Sequence, residues 1–222
     1  MSKIWLIVLA FATYSPSICA FSKQDQMPAD FVSLAEIAPD IKIEMKYAGS
    51  DNFIGRPIAG YEAEKCLLTR PTALALQKSQ QWLTQFKLQL VVYDCYRPQK
   101  AVTEFVQWSK DLNDTKKMES HYPKVAKANL FSEGYIATKS GHSRGSTVDI
   151  GLTGLDAGAP FDYFDPVSHT RAEQISTAAR ATRALLCATL ERFGFVNYDK
   201  EWWHFTLKNE PHPNQYFDFP IR

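Results

Sequence analysis

The spacing of apolar and polar positions changes several times along the chain, and each change marks an element. IKIEMKY, residues 41–47, alternates apolar and polar and predicts a strand. The segment AGSDNFIGRPIAGY, residues 48–61, is turn-rich and aromatic and reads as a loop. Thr69 then stands as an N-cap before Pro71, an early-helix proline. Leu74, Leu76, Trp82, Leu83 and Phe86 follow at roughly helical spacing, so a helix is expected to about Phe86. LQLVVYD, residues 88–94, is an apolar run of strand length that ends at CYRP. A second helix is expected from Pro98 to about Leu112, with Val102, Phe105, Val106 and Trp108 on its apolar side. The third spans Ala172 to Phe193: Ile175, Ala179, Leu186, Leu190 and Phe193 recur at intervals of three, four or seven, and Gly194 stops it. FVNYDK and WWHFTL then predict a strand, a turn and a last strand. Strands and helices interleave without regular βαβ units, so the class is α+β, with a mainly antiparallel sheet flanked by helices.

Length and composition narrow this further. The 222 residues suit one domain, without internal repeats or a Gly/Ser linker. The 25 basic residues are spread along the chain and matched by 24 acidic ones, which speaks against a nucleic-acid surface. Residues 1–20 differ from the rest. Lys3, the apolar run Ile4 to Thr13 and the small residues of SPSICA have the layout of a secretory signal peptide, and the run is too short to cross a bilayer. Cys19 lacks a Leu three positions before it, which argues against a lipid anchor. The expectation is an exported protein, periplasmic or extracellular, with a mature domain over 21–222 and no stable membrane span once the leader is removed. Export leaves Cys66, Cys95 and Cys187 where disulfides persist. A Cys66–Cys95 bridge is a candidate, and Cys187, in the third helix and expected to be buried, is the odd thiol.

Three groups of residues could carry chemistry. In SGHSRGSTVDIGL, His142 and Asp149 lie on either side of Gly145, where a sharp turn is possible, and a strand-like TVDIGL begins at Thr147. In EWWHF, alternation places Trp202, His204 and Thr206 on one face. Glu201 must then sit on the turn before the strand if it shares a site with His204. Taken alone, a His and an Asp in a polar loop such as His142 and Asp149 are more often solvated or hydrogen-bonded than ligands, and Glu201 with His204 reads as readily as a surface acid beside a structural His as it does as a site. Together, His142, Asp149 and His204 make a two-nitrogen, one-oxygen set suited to zinc with a fourth position open for water, and Glu201 remains as a general base. In YDCYRP, Arg97 could stabilise an oxyanion, grip a carboxylate, or simply pair with Asp94 or another acid.

These motifs resemble the VanX-type D-alanyl-D-alanine dipeptidases. The resemblance rests on Ser140, His142, Gly145 and Asp149 in order, on Glu201 and His204 with two Trp between them, and on YRP. NFIGRPIAGY, the LD-x-G-x-x-FD-x-F run from Leu155 to Phe164, and Ser168-His169 add to it, so that it extends from about Ile41 to Leu207. It implies the hedgehog/DD-peptidase fold and hydrolysis of the small dipeptide D-Ala-D-Ala with one Zn2+ per chain. His142, Asp149 and His204 would be ligands, Glu201 the base, Arg97 the transition-state cation, and Ser140 part of the substrate pocket. Salvage or turnover of cell-wall dipeptide is the expected role. The alternatives are a zinc D,D-carboxypeptidase that trims longer peptidoglycan peptides and a non-hydrolytic zinc protein that binds cell-wall fragments. Two positions depart from the family's pattern, Thr147 where Ala is usual and Ala157 where Met is usual. Thr147 is expected to touch the ligands' surroundings, and Ala157 to enlarge a neighbouring pocket. His121, His169 and His212 are read as non-ligands, since a fourth protein ligand would close the water's position.

Overall fold

A computed structural model of the chain describes residues 26–222, so the expected leader, residues 1–20, lies outside the described residues. In chain order the elements are β1 (Phe31–Ser33), α1 (Leu34–Ile37), β2 (Lys42–Ile43), β3 (Leu67–Thr69), α2 (Arg70–Thr84), β4 (Leu90–Asp94), α3 (Gln99–Lys110), α4 (Met118–His121), β5 (Thr147–Leu152), α5 (Thr177–Arg192), β6 (Phe195–Asn197) and β7 (His204–Leu207). Five strands form one sheet in the order β2-β4-β5-β7-β6, and β1 pairs with β3 in a second, two-stranded one. Only the β2–β4 pairing is parallel within the larger sheet. The class is therefore α+β with a mixed, mainly antiparallel sheet flanked by helices. The central strand β5 is buried at every position, which requires cover on both of its faces. Among the described residues no helix is long and apolar enough to cross a membrane.

Local chemistry explains where these elements differ from the sequence expectations. The strand expected over 41–47 keeps only two ladder residues, and Lys46–Ala48 coils into a 3-10 turn. Asn52 draws the chain out of the sheet: its amide donates to the carbonyls of Lys46, Gly49 and Arg56, and its oxygen accepts from Ile54 and Gly55. This turns Tyr47 inward, buried against Phe53, Tyr61 and Phe105. Thr69 precedes α2 as expected, but its hydroxyl bonds Thr72 and Ser146 instead of capping the helix backbone. The third helix starts at Thr177 rather than Ala172, because Ser176 caps it by accepting from the Ala179 N–H. Gly194, at φ 92°, ends that stretch as expected. The last strand begins at His204, so Trp202 and Trp203 belong to the turn before it. The short β1, β3, α1 and α4 have too few residues to show a period.

Cys66 and Cys95 form a disulfide across 29 residues. Cys187 is free, and it is half-buried where full burial was expected.

Candidate metal centre and catalytic pocket

The sheet register builds the site. Asp94 on β4 lies opposite Asp149 on β5, and Asp149 lies opposite His204 on β7, so three side chains occupy one row across three strands. A bulge between Val92 and Asp94 brings Asp94 into that row. His142 arrives from outside the sheet, on a 3-10 turn at Gly141–Arg144. That turn is closed by Gly145 at φ 80°, where a Cβ would also lie 2.2 Å from the Phe31 ring. Ser140 opens the turn, its Oγ accepting from the His142 N–H at 3.2 Å.

Three elements thus aim their polar atoms at one point. His142 Nε2, His204 Nδ1 and Asp149 Oδ1 lie 3.0 to 3.3 Å apart in pairs. Among the described residues these three form the group that could hold a metal ion. The opposite nitrogen of His142, Nδ1, is 2.7 Å from the Cys95 carbonyl. A carbonyl only accepts, so Nδ1 carries the proton and the Nε2 lone pair faces the cluster, the usual arrangement behind a metal-ligating imidazole. Two imidazoles and one carboxylate fit zinc by donor type, and they leave coordination positions for water or substrate. His121 pairs with Ser120 and His212 with Asp30, and neither these nor His169 joins the cluster.

Arg97 and Glu201 flank this centre. The Arg97 Nε and a terminal nitrogen both donate to Asp94 Oδ2, at 2.9 and 2.8 Å, and the terminal nitrogen is 3.5 Å from Asp149 Oδ2. Its guanidinium lies over the rings of Tyr47 and Phe105, 5.0 and 5.1 Å from their centres. Of the alternatives open for Arg97, the pairing with Asp94 is therefore present, and Arg97 also lines the pocket. Glu201 precedes β7 on the turn, as its odd interval to His204 required, with Oε2 3.5 Å from His204 Nδ1.

Burial dominates the electrostatics. It raises the Glu201 carboxyl to about 7, with Asp149 adding to the shift and His204 and Arg97 opposing it. Burial works against the Asp149 charge as well, but His142 and His204 outweigh it and hold that carboxyl well below its usual range. Burial would also lower His204, yet Asp149 and Glu201 lift it above the ordinary imidazole value. A dication among these ligands would favour the ionised carboxylates and the neutral imidazoles.

The cavity in front of the cluster has a volume of about 330 Å³. That is near the small end of the ~300–1,000 Å³ usual for small-molecule sites. Phe53, Tyr135, Phe164 and Tyr198 are among its walls, and Ser140 lines it as well. One lining acid, Asp162, is buried and accepts from Tyr47 Oη at 2.7 Å. Burial, reinforced by Asp149, pushes its carboxyl well above the ordinary value. Sequence reasoning assigns Asp162 no role, although it is the acid of the FD-x-F run. Tyr47 and Tyr61 are equally unassigned there: one donates to Asp162, the other to Asp94 at 2.6 Å.

Of the two departures, Thr147 does touch the ligands' surroundings. Its Oγ1 bonds Thr206 Oγ1 at 2.9 Å, in the register row next to Asp149 and His204 on the same face. A Cβ on Gly141 would come within 2.8 Å of that Thr147 oxygen, and Gly141 lines the pocket. Gly141→Ala is therefore expected to destabilise the protein by about 1–3 kcal/mol, as overpacking does. Thr147→Ala in the same chain should restore most of the loss, and thermal melts of the two singles and the double read the coupling. Additive losses would mean that Thr147 does not set the need for glycine. Ala157 is buried but does not line this pocket; its carbonyl accepts from Arg183 Nε at 2.6 Å.

A buried, polar, metal-capable cluster with a carboxylate and a guanidinium at its edges is the equipment of a hydrolase. Comparison with known proteins gives the same class. The sequence profile of the Peptidase_M15 family, described as D-ala-D-ala dipeptidase, matches residues 27–222. A D-alanyl-D-alanine dipeptidase of Streptomyces coelicolor is 41% identical over 201 residues, 88% of this chain and all of its own length. One from Enterococcus faecium is 39% identical over 202 residues with the same shares, and one from Escherichia coli is 37% identical over 183 residues, 80% of this chain and 84% of its own. Among solved structures, the LdcB LD-carboxypeptidase aligns with a TM-score of 0.47 at 14% identity, over 85% of this chain and 72% of its own, too loosely to carry an argument. The chain belongs to the D-alanyl-D-alanine dipeptidase family and is a peptidase.

Proposed function

We propose that the protein is a zinc-dependent dipeptidase that hydrolyses D-Ala-D-Ala to two D-alanines, in salvage or turnover of cell-wall dipeptide outside the cytoplasm. The observation that carries the zinc reading is the convergence of His142 Nε2, Asp149 Oδ1 and His204 Nδ1, with Glu201 and Arg97 at its edge. The small cavity supports a small substrate, and the leader-like residues 1–20 support export.

Zinc held by His142, Asp149 and His204 would supply Lewis acidity and bring the pKa of a water towards ~7. Glu201, which is not one of the three ligands, takes the proton from the attacking water and returns it to the departing amine. Arg97, held by Asp94, offers its remaining donors to the oxyanion of the tetrahedral intermediate. The Ser140 Oγ accepts from the His142 backbone, so its own proton can be donated to substrate in the pocket it lines. Asp162 receives the substrate's ammonium. Burial and the nearby Asp149 raise its carboxyl above the ordinary value, and a cation arriving to pair with it favours the ionised form.

Asp162→Asn is accordingly expected to lower kcat/KM on the free dipeptide by ~10²-fold, mainly through KM, as truncating one partner of a buried charge pair does. Steady-state kinetics on D-Ala-D-Ala and on its N-acetyl derivative check this: the derivative should be a poor substrate for wild type and little affected by the substitution. Equal losses on both would remove Asp162 from ammonium binding.

The function itself is tested by incubating zinc-loaded protein with D-Ala-D-Ala, L-Ala-L-Ala and a longer peptide ending in D-Ala-D-Ala, with Glu201→Ala as control. Release of D-alanine from the free D,D-dipeptide alone is the expected result. Efficient trimming of the longer peptide would make the protein a carboxypeptidase, and zinc binding without any turnover would make it a binding protein.

A further inference from the structure

The segment Asp94 to Arg97 supplies three groups to the centre: the Asp94 carboxylate, the Cys95 carbonyl that receives the His142 Nδ1–H, and the Arg97 guanidinium. Yet the β4–β5 ladder stops at Asp94, so the sheet does not fix Cys95, Tyr96 or Arg97. Two attachments to one neighbouring stretch help to hold them, beside the Tyr96 hydroxyl, which donates to the Phe219 carbonyl at 2.9 Å. The Tyr96 N–H donates to the Leu67 carbonyl at 3.0 Å, and Cys95 is joined to Cys66, the residue before Leu67. The same stretch grips the other side of the site, because the Thr69 N–H donates to the Gly145 carbonyl and the Thr69 hydroxyl bonds Ser146, just past the His142 turn. The Arg97 N–H closes the loop by donating to the His142 carbonyl at 3.3 Å. Cys66, Leu67 and Thr69 thus link the segment carrying Arg97 to the turn carrying His142, and the disulfide is the covalent part of that link.

We propose that Cys66 and Cys95 are positioning residues for the metal centre, so that the centre is set in its metal-binding geometry only once the two thiols have been oxidised. This rests on the metal-centre reading above. Oxidation joins Sγ to Sγ and passes two electrons and two protons to a disulfide oxidant, which leaves as two thiols; oxidised glutathione is one such oxidant. Both sulfurs are fully buried in the folded protein, so their state is set during folding, and reductants reach them afterwards only through opening of the chain. Cys187 competes poorly for either partner: it is half-buried in α5, and burial pushes its thiol up to about 11, leaving little thiolate at neutral pH. A chain of this kind has a loose, weakly metallated site in a thiol-reducing compartment and a finished one after reaching an oxidising compartment.

The test measures metal binding directly. Zn2+ affinity by chelator competition, and the visible spectrum of the Co2+-loaded protein, are compared for wild type, Cys66→Ala/Cys95→Ala, Cys66→Ala alone and Leu76→Ala. The last is a buried truncation in α2 that does not line the pocket and serves as a control for lost stability. Wild type is also refolded with reduced or with oxidised glutathione. The expected result is a ~10–100-fold loss of metal affinity and an altered Co2+ spectrum in both cysteine variants and in the reduced chain, as when a partner behind a ligand is lost. Leu76→Ala should bind metal as wild type does, even where its Tm falls as far. Unchanged affinity and spectrum without the disulfide overturn the proposal. So does a reduced chain that fails to fold at all, since the bridge would then hold the whole fold and not the centre. Oxidised wild type that binds no stoichiometric metal overturns the metal-centre reading instead.

Discussion

Glu201→Gln is expected to lower kcat on the free dipeptide by ~10²–10⁴-fold, the range that general acid–base catalysis supplies, with one zinc per chain retained. The amide keeps the volume of the carboxyl and much of its hydrogen bonding but has no basic oxygen to take a proton. Position decides that the loss falls on turnover and not on metal. Glu201 stands outside the close triangle of His142, Asp149 and His204, on the turn before β7, 3.5 Å from the nearest ligand nitrogen. Its burial raises the carboxyl to about 7, close to where a group must sit to accept a proton from water and give it to an amine near neutrality. Metal-to-protein ratio and kcat, read on the same preparation, distinguish the outcomes. Near-normal turnover would exclude Glu201 as the base, and parallel loss of zinc and turnover would make it a ligand.

The placement of Glu201 is legible in the sequence because a strand has a period of two. An interval of three between Glu201 and His204 is incompatible with one strand face, so the acid has to lie on a turn if the two share a site, and it does. The pairing of Asp149 with His204 is legible only in part. Each residue's place on a strand can be read from alternation, but their cross-strand register depends on turns and loops between residues 152 and 204 that carry no periodic signal. Asp162 and Tyr47 show the limit most clearly. Asp162 sits at φ 58° in an irregular stretch, and Tyr47 leaves its expected strand because Asn52 takes up the local carbonyls. Neither hydrophobic pattern nor spacing reports that these two meet across 115 residues to form one wall of the pocket. The helices are legible in their interiors and not at their starts, where a single cap such as Ser176 decides the first residue. The Cys66–Cys95 pairing is suggested by compartment alone, and its link to His142 through the Cys95 carbonyl becomes visible only in three dimensions.

Arg97→Ala should produce two losses at once, and separating them decides what Arg97 is for. The first is in turnover, ~10²-fold or more in kcat, as when a donor to the oxyanion is removed. The second is in stability. Asp94 is fully buried and receives two donors from Arg97, leaving chiefly the Tyr61 hydroxyl once the guanidinium is gone. Removing one partner of a buried pair typically destabilises by about 3–5 kcal/mol. The loss here should fall towards the lower end, because burial already raises the Asp94 carboxyl and eases its protonation when the cation is absent. Asp94→Asn in the Arg97→Ala background removes the stranded charge. It is expected to recover much of the unfolding free energy in urea titrations while kcat stays low. Arg97→Lys keeps the charge but not the planar fork, so it should hold more stability than alanine and still lose most of the turnover. If kcat returned together with stability in the double variant, Arg97 would act only by holding Asp94 and the end of β4 in place, and the oxyanion would need another donor from the pocket.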